Sequence, residues 1–258
     1  MGNQMFQYAM GLDTARRLGT KLALDTTHLR SNWKRQYSLG LFNINDPQVE
    51  GSEPTVSEAC LPYDSSLVKR IKDGDVLLGY WQSEKYFKDL DTRIMLRHRF
   101  FPKGKIPAAA EDFSNEILAT GERGVMIGVR RGDYLVSSYH GVMTSEYYLR
   151  GLSALGVQKP ILFVFSDDPV WCRRVLAMEL PHPIHIFQGD VSVPNHLGRE
   201  DVDLWLMSQC SNFVIGNSTF HWWGAWLSTR FNVVAPKNWF ASSKEDPRDI
   251  CPEHWLRV

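Results

Sequence analysis

The chain has 258 residues, enough for one large domain or two of ordinary size, and 43% of them are hydrophobic, which is ample for a core. Lys plus Arg and Asp plus Glu each number 29, so the formal net charge is zero; this argues against a broad nucleic-acid surface and makes any cationic function local. Cys60, Cys172, Cys210 and Cys251 are too far apart for a zinc pattern, and no apolar run approaches the ~18 residues of a membrane span, so a soluble cytoplasmic protein with reduced thiols is expected.

In chain order, residues 2–9 (GNQMFQYA) open a helix with small and amide side chains, Asn3 and Gln4 among them, and apolar spacing carries it to Leu18. Residues 21–25 read as a strand after Gly19, and residues 43–70 as loops and short helices. Residues 76–78 read as a further strand, followed by GYWQSEKYF at 79–87. The polar, Pro/Gly/Ala-rich passage 102–124 is the expected boundary between an amino-terminal domain, 1–110, and a carboxyl-terminal domain, 120–258.

Beyond it strands and helices alternate. The apolar runs 125–129, 161–165, 184–187, 213–215 and 232–235 read as strands. Residues 144–155, 169–178, 201–209 and 220–228 read as helices, which predicts a parallel, doubly wound α/β sheet. Ligands of such sheets bind beyond the carboxyl ends of the strands. There the chain places Arg130-Arg131-Gly132-Asp133-Tyr134, directly after a buried strand. An isolated pair of arginines would be a surface turn in which one pairs with Asp133, but after a buried strand and beside Gly132 it points to an anion site. Arg suits a phosphate because its planar fork donates in pairs and keeps its charge.

Asn217-Ser218-Thr219-Phe220 joins another strand to a helix start, where outward N–H groups and the helix dipole favour phosphate; a plain cap by Ser218 or Thr219 is the alternative. Both segments are expected at one sheet edge, where together they could hold a diphosphate. Asp167 and Asp168 follow the 161–165 strand at the same edge and could hold a metal or a sugar hydroxyl, or Asp168 could cap its helix. Glu200, Asp201 and Asp203 open a helix, where the dipole favours acids in any case. His140 and His221 are candidate bases, whereas His28, His98, His182, His185, His196 and His254 show no ligand spacing. Nine tryptophans could serve sugar binding, but Trp222, Trp223 and Trp226 fall at helical spacing and read as core.

Seven stretches in order, GNQMFQYAMGLDTARRLG (2–19), GYWQSEKYF (79–87), VRRGDY (129–134), FSDDPVWCR (165–173), LMSQC (206–210), NSTFHWWGAWL (217–227) and APKNWF (235–240), resemble the bacterial α-1,2-fucosyltransferases of glycosyltransferase family 11 and span nearly the whole chain. The resemblance implies a GT-B-like fold of two facing α/β domains with a cleft between them. It implies transfer of L-fucose from GDP-β-L-fucose to O-2 of a terminal galactose or a related sugar, with inversion and without a bound metal or other cofactor. Arg130 would contact the β-phosphate, with Arg131 and Asp133 shaping the site and Asn217, Ser218, Thr219 and Phe220 bordering the nucleotide. Asn3 and Gln4 would face the cleft from the acceptor side. Asp133 is the first candidate for general base, then Asp201 and Asp203. The acceptor would be a lipopolysaccharide unit or another glycan chosen partly by residues 28–75, with peripheral contact at the inner face of the membrane.

Two departures from the family stand out. Gly128 occupies the position two before the first Arg, where the family usually has His. The family's strand and Gly-rich turn ahead of GNQ are replaced by Met1-Gly2, so that first strand is expected to be missing. These features motivate an alternative, a catalytically impaired relative that binds a nucleotide sugar or glycan. An adhesion role for Arg131-Gly132-Asp133 is disfavoured by its expected place inside a cleft.

Overall fold

The structure is a computed structural model that describes residues 1–30, 36–187, 199–230, 232–242 and 244–258. The chain divides into two compact units, Met1–Gly104 with Asp246–Pro252, and Lys105–Glu245 with Glu253–Val258.

The first unit is built around helix α1, Gly2–Leu18, which buries Met5, Phe6, Tyr8, Ala9, Met10 and Leu12 and stops at Gly19 in the left-handed conformation, φ 66°. Glycine adopts that conformation without the steric cost other residues incur. Strand β1, Leu24–Asp25, pairs in parallel with β2, Gln48–Val49, and β3, Val56–Ser57, with β4, Leu77–Leu78. Helix α2, Ser65–Arg70, is capped by Asp64, and α3, Leu90–Arg99, by Asp89, whose carboxylate takes the Thr92 N–H at 2.9 Å. An aromatic core gathers on α1: Phe6 lies 6.1 Å from Phe87, and Phe100 meets Tyr8 and Phe42 edge-on at 5.7 and 5.5 Å. The segment Asp246–Pro252 returns to this unit through Asp249, which accepts from the Tyr63 N–H at 2.9 Å and pairs with Lys85 Nζ at 2.7 Å.

The second unit begins with α4, Ala108–Ala119, inside the passage expected to be a boundary. Alanine-rich sequence favours helix, and Ala110, Ser114 and Ile117 form its buried stripe at i, i+4, i+7. The division between units accordingly falls earlier, after Gly104. Six strands follow: β5, Gly124–Val129; β6, Ile161–Ser166; β7, Ile184–Ile186; β8, Asn212–Ile215; β9, Asn232–Ala235; and β10, Leu256–Arg257. All pair in parallel, in the order β10-β9-β8-β5-β6-β7. Parallel neighbours need crossovers, which helices provide: α5, Ser145–Leu155; a helical run through Pro169–Trp171, a π-turn at Cys172–Leu176 and Ala177–Glu179; α6, Glu200–Ser208; and α7, Thr219–Leu227. The central strand β5 is buried along its whole length, as its continuous apolar run requires. Gly151 lets α5 lie on β8, since a Cβ there would come 2.5 Å from a Val214 methyl.

Trp222, Trp223 and Trp226 are core, as expected, at 0, 0 and 4% exposed, with Trp255 packed 5.4 Å from Trp222. The three indoles of α7, with Trp255 packed against them from the carboxyl-terminal segment, bury a large apolar area. Among the described residues, no helix is long and apolar enough to cross a membrane.

Candidate functional site

Neighbouring strands β5 and β8 run in register, with Gly128 opposite Ile215, and both end at the same edge. The chain leaving β5 is the arginine turn, and the chain leaving β8 is Asn217–Phe220. Gly216 N–H donates to Gly128 O at 2.9 Å and Tyr148 Oη–H donates to it at 3.1 Å, closing this edge from within. The two segments singled out in the sequence are therefore adjacent.

Arg130 is held from two sides. One guanidinium nitrogen lies 2.7 Å from an Asp133 oxygen, another 3.2 Å from Asp167, and the group sits 5.4 Å from the centre of the Tyr134 ring. Asp167 also accepts the Arg131 N–H at 2.8 Å. Gly132 makes this approach possible, because a Cβ on it would lie 2.5 Å from an Asp167 oxygen. Arg131 turns the other way, with its Nε 3.2 Å from Asp168 and its guanidinium 4.1 Å over the Trp171 ring. It lines a pocket with Met143, Thr144, Glu146 and Trp171.

Of the roles considered for Asp168, the helix cap is the one seen: one oxygen accepts the Trp171 N–H at 3.0 Å, and the other, in a pairing the sequence did not suggest, meets Arg131. Asp167 and Asp168 thus spend their charge on guanidinium groups. Among the described residues no group of His, Cys, Asp and Glu is placed to hold a metal ion. Two arginines are thus set among three carboxylates, which fix the guanidinium groups and partly neutralise them. An incoming diphosphate would compete with Asp133 and Asp167 for Arg130.

Asn217 is buried, and its amide donates to three backbone carbonyls, His140 at 2.7 Å, Trp239 at 3.1 Å and Gly141 at 3.3 Å. Ser218 stands at the N-cap of α7, but its side chain makes no cap bond, so the helix start is left without a side-chain cap. Thr219 and Phe220, half-buried, form its first turn. Tyr134 ties the two segments together: its hydroxyl donates to Asn217 O at 3.3 Å and its ring stacks on His140 at 4.1 Å. His140 also lies 3.0 Å from Ser137 Oγ through Nδ1. Tyr134 and Trp171 sit inside the quoted motifs, yet sequence gave no reason to choose them, because their partners are distant in the chain.

The remaining candidates have other partners and surroundings. Asn3 and Gln4 belong to the first unit, where Asn3 Oδ1 accepts from Gln82 at 3.1 Å. Gln4 is engaged at both ends, donating to Gln36 O at 2.7 Å and accepting the Ser38 N–H at 2.9 Å, so it shapes that loop. Asp201 is buried and paired with Arg199 at 3.1 Å. His221 is buried, and burial first, then the Arg130 charge, pushes its pKa down to about 3, leaving a neutral imidazole of low basicity. His196 lies outside the described residues.

Asp203 stands out among the acids. Burial, then the charges of Glu200 and Asp201, raise its pKa from 3.8 to about 7. Between those values the unfolded chain has released this proton and the folded chain has kept it. Stability from this group is therefore complete below about pH 4 and lost as pH rises to about 7. Asp203→Asn should melt ~2–6 °C above the parent at pH 8 and level with it at about pH 3.5. Calorimetric melts at the two pH values decide this, and an equal shift at both would contradict it.

The family model of glycosyl transferase family 11 matches residues 76–258. An alpha-1,2-colitosyltransferase of Escherichia coli is 30% identical, over all of this chain and 96% of its own length. A galactoside 2-alpha-L-fucosyltransferase of Bos taurus is 29% identical over 59% of this chain and 42% of its own. Among solved structures, the fucosyltransferase NodZ from Bradyrhizobium shares the fold at TM-score 0.51 and 14% identity, over 88% of this chain and 90% of that one.

Proposed function

The chain belongs to glycosyl transferase family 11, and from that premise we propose that it transfers L-fucose from GDP-β-L-fucose to O-2 of a terminal galactose, with inversion and without a metal ion. The observation that carries this reading is Arg130, fixed at the carboxyl end of β5 beside the uncapped start of α7. Two relatives that differ in the transferred sugar, an alpha-1,2-colitosyltransferase and a galactoside 2-alpha-L-fucosyltransferase, both name position 2 of the acceptor, which supports that linkage.

On this reading the diphosphate displaces Asp133 from Arg130, and Ser218, Thr219 and Phe220 border the nucleotide. The bond from the sugar anomeric carbon to the β-phosphate oxygen breaks as the galactose O-2 attacks from the opposite face. The electron pair and negative charge go to GDP, where the guanidinium stabilises them as they develop. The released Asp133 carboxylate takes the proton of the attacking hydroxyl. Asp133 is preferred to His221, whose basicity is suppressed, and to Asp201, which is occupied by Arg199. Asn3 and Gln4 are assigned to the acceptor side, and the acceptor to a cell-surface glycan made at the cytoplasmic face of the membrane.

The test is incubation with GDP-fucose and lactose, N-acetyllactosamine or lacto-N-biose, with the new linkage read by NMR, in parallel with GDP-colitose, whose sugar is fucose lacking the 3-hydroxyl. An α-1,2-fucosylated product, undiminished by a chelator, is expected. GDP binding without product from any galactoside would instead favour a relative that binds the nucleotide sugar without transferring it. No GDP binding at all would overturn the donor assignment.

A further inference from the structure

His221 lies in the first turn of α7 and its ring rests on Gly128 of β5. A Cβ on Gly128 would lie 2.6 Å from the ring Cγ and 2.7 Å from Nδ1, closer than such atoms approach. Gly128 has no room to retreat. Its carbonyl accepts from both Gly216 and Tyr148, and a Cβ on Gly216 would itself stand 2.9 Å from that oxygen. The ring and any side chain at position 128 therefore compete for one volume, directly behind the residue pair Val129-Arg130.

The ring is also unusual in itself. His221 is 4% exposed, and its buried Nδ1 has no hydrogen-bond partner among the described residues. A polar atom left so is unfavourable, and a leucine of similar size would avoid it. Such orphaned groups call for a reason other than packing. The Arg130 charge acts on this ring.

We propose that positions 128 and 221 make up a single imidazole site, in which His221 supplies from α7 the ring that a histidine two residues before Arg130 would supply from β5, and Gly128 is the space that admits it. His221 is then a positioning residue: a neutral, polar ring behind the arginine turn that aligns Arg130 for the charge that develops on the leaving diphosphate. The inference rests on the donor reading above. It explains why the motif lacks its expected histidine without loss of the site, and it predicts that restoring that histidine alone does harm.

The experiment compares Gly128→His, His221→Ser, the double variant, His221→Leu and His221→Asn, by steady-state kinetics with GDP-fucose, calorimetric GDP binding and thermal melts. Gly128→His alone should weaken GDP binding and turnover by about tenfold or more, because the new ring meets His221. His221→Ser and His221→Leu should lower kcat by about tenfold with KM changed less than threefold, since the lost alignment matters most in the transition state. His221→Asn, which returns an amide near the Nδ1 position, should recover most of that loss. The double variant should come within about threefold of the parent. If the two changes multiply independently, or if folded His221→Leu keeps full kcat, the proposal is overturned while the donor reading stands. If the parent fails to bind GDP, the donor reading falls and this inference with it.

Discussion

Arg130→Ala is expected to lower kcat/KM by roughly 10²–10³-fold or more, the scale for removing one preorganised donor from developing negative charge. Its melting temperature should stay close to the parent's. The side chain is 36% exposed and its partners Asp133 and Asp167 are partly exposed as well, at 59 and 25%. Ion pairs of that kind contribute only about 0–1 kcal/mol to stability. The large and small effects are thus predicted at the same residue, and together they separate catalysis from folding. Arg130→Lys should fall between the two, because an ammonium keeps the charge but cannot span two oxygens with a planar fork. Kinetics with GDP-fucose and a galactoside, with melts on the same samples, measure both halves. A folded alanine variant with parental turnover would remove Arg130 from the mechanism and leave Arg131 as the remaining guanidinium of the turn.

How much of this was readable beforehand follows from the range of the interactions. The strands β5, β6, β8 and β9 are short apolar runs bounded on at least one side by Gly, Ser, Asp or Pro, so composition alone marks them, and strand-helix alternation makes the sheet parallel. The adjacency of the arginine turn and Asn217–Phe220 follows from β5 pairing with β8, which the alternation permits but does not dictate. Helix α4 was obscured because proline and glycine before it and glycine after it read as a linker, although its alanines favour helix. Strands β2, β3 and β10 have two residues each and carry no detectable period. The return of Asp246–Pro252 depends on Asp249 meeting Tyr63 and Lys85, more than 160 positions away in sequence, which no local pattern encodes. Gly128 is the sharpest case. As a letter in a motif it is a lost histidine; in three dimensions it is the floor beneath His221.

Asn217→Ala is the second large effect expected, and here the loss is of stability first. The buried amide is the common donor to the carbonyls of His140, Gly141 and Trp239. Since all three neighbours are acceptors, the orientation of the amide is fixed by the chemistry around it. Alanine leaves one buried and two part-buried carbonyls without this donor, at about 1–3 kcal/mol for each that water cannot reach. A total near 2–4 kcal/mol lowers the melting temperature by roughly 5–12 °C for a chain of this size. Asn217→Asp distinguishes donation from space filling, because it preserves the shape and replaces the donor with an acceptor facing three oxygens. It should therefore melt lower than the alanine variant at neutral pH. An aspartate variant as stable as the parent would show that the side chain merely fills volume. The damage should reach the anion site as well. The carbonyl of Asn217 receives the Tyr134 hydroxyl, Tyr134 stacks on His140 and flanks Arg130, and His140 and Gly141 are among the carbonyls the amide holds. Below their melting temperatures both variants should show a raised KM for the GDP-sugar, which makes Asn217 the residue through which the stability of this sheet edge and its affinity for the donor are coupled.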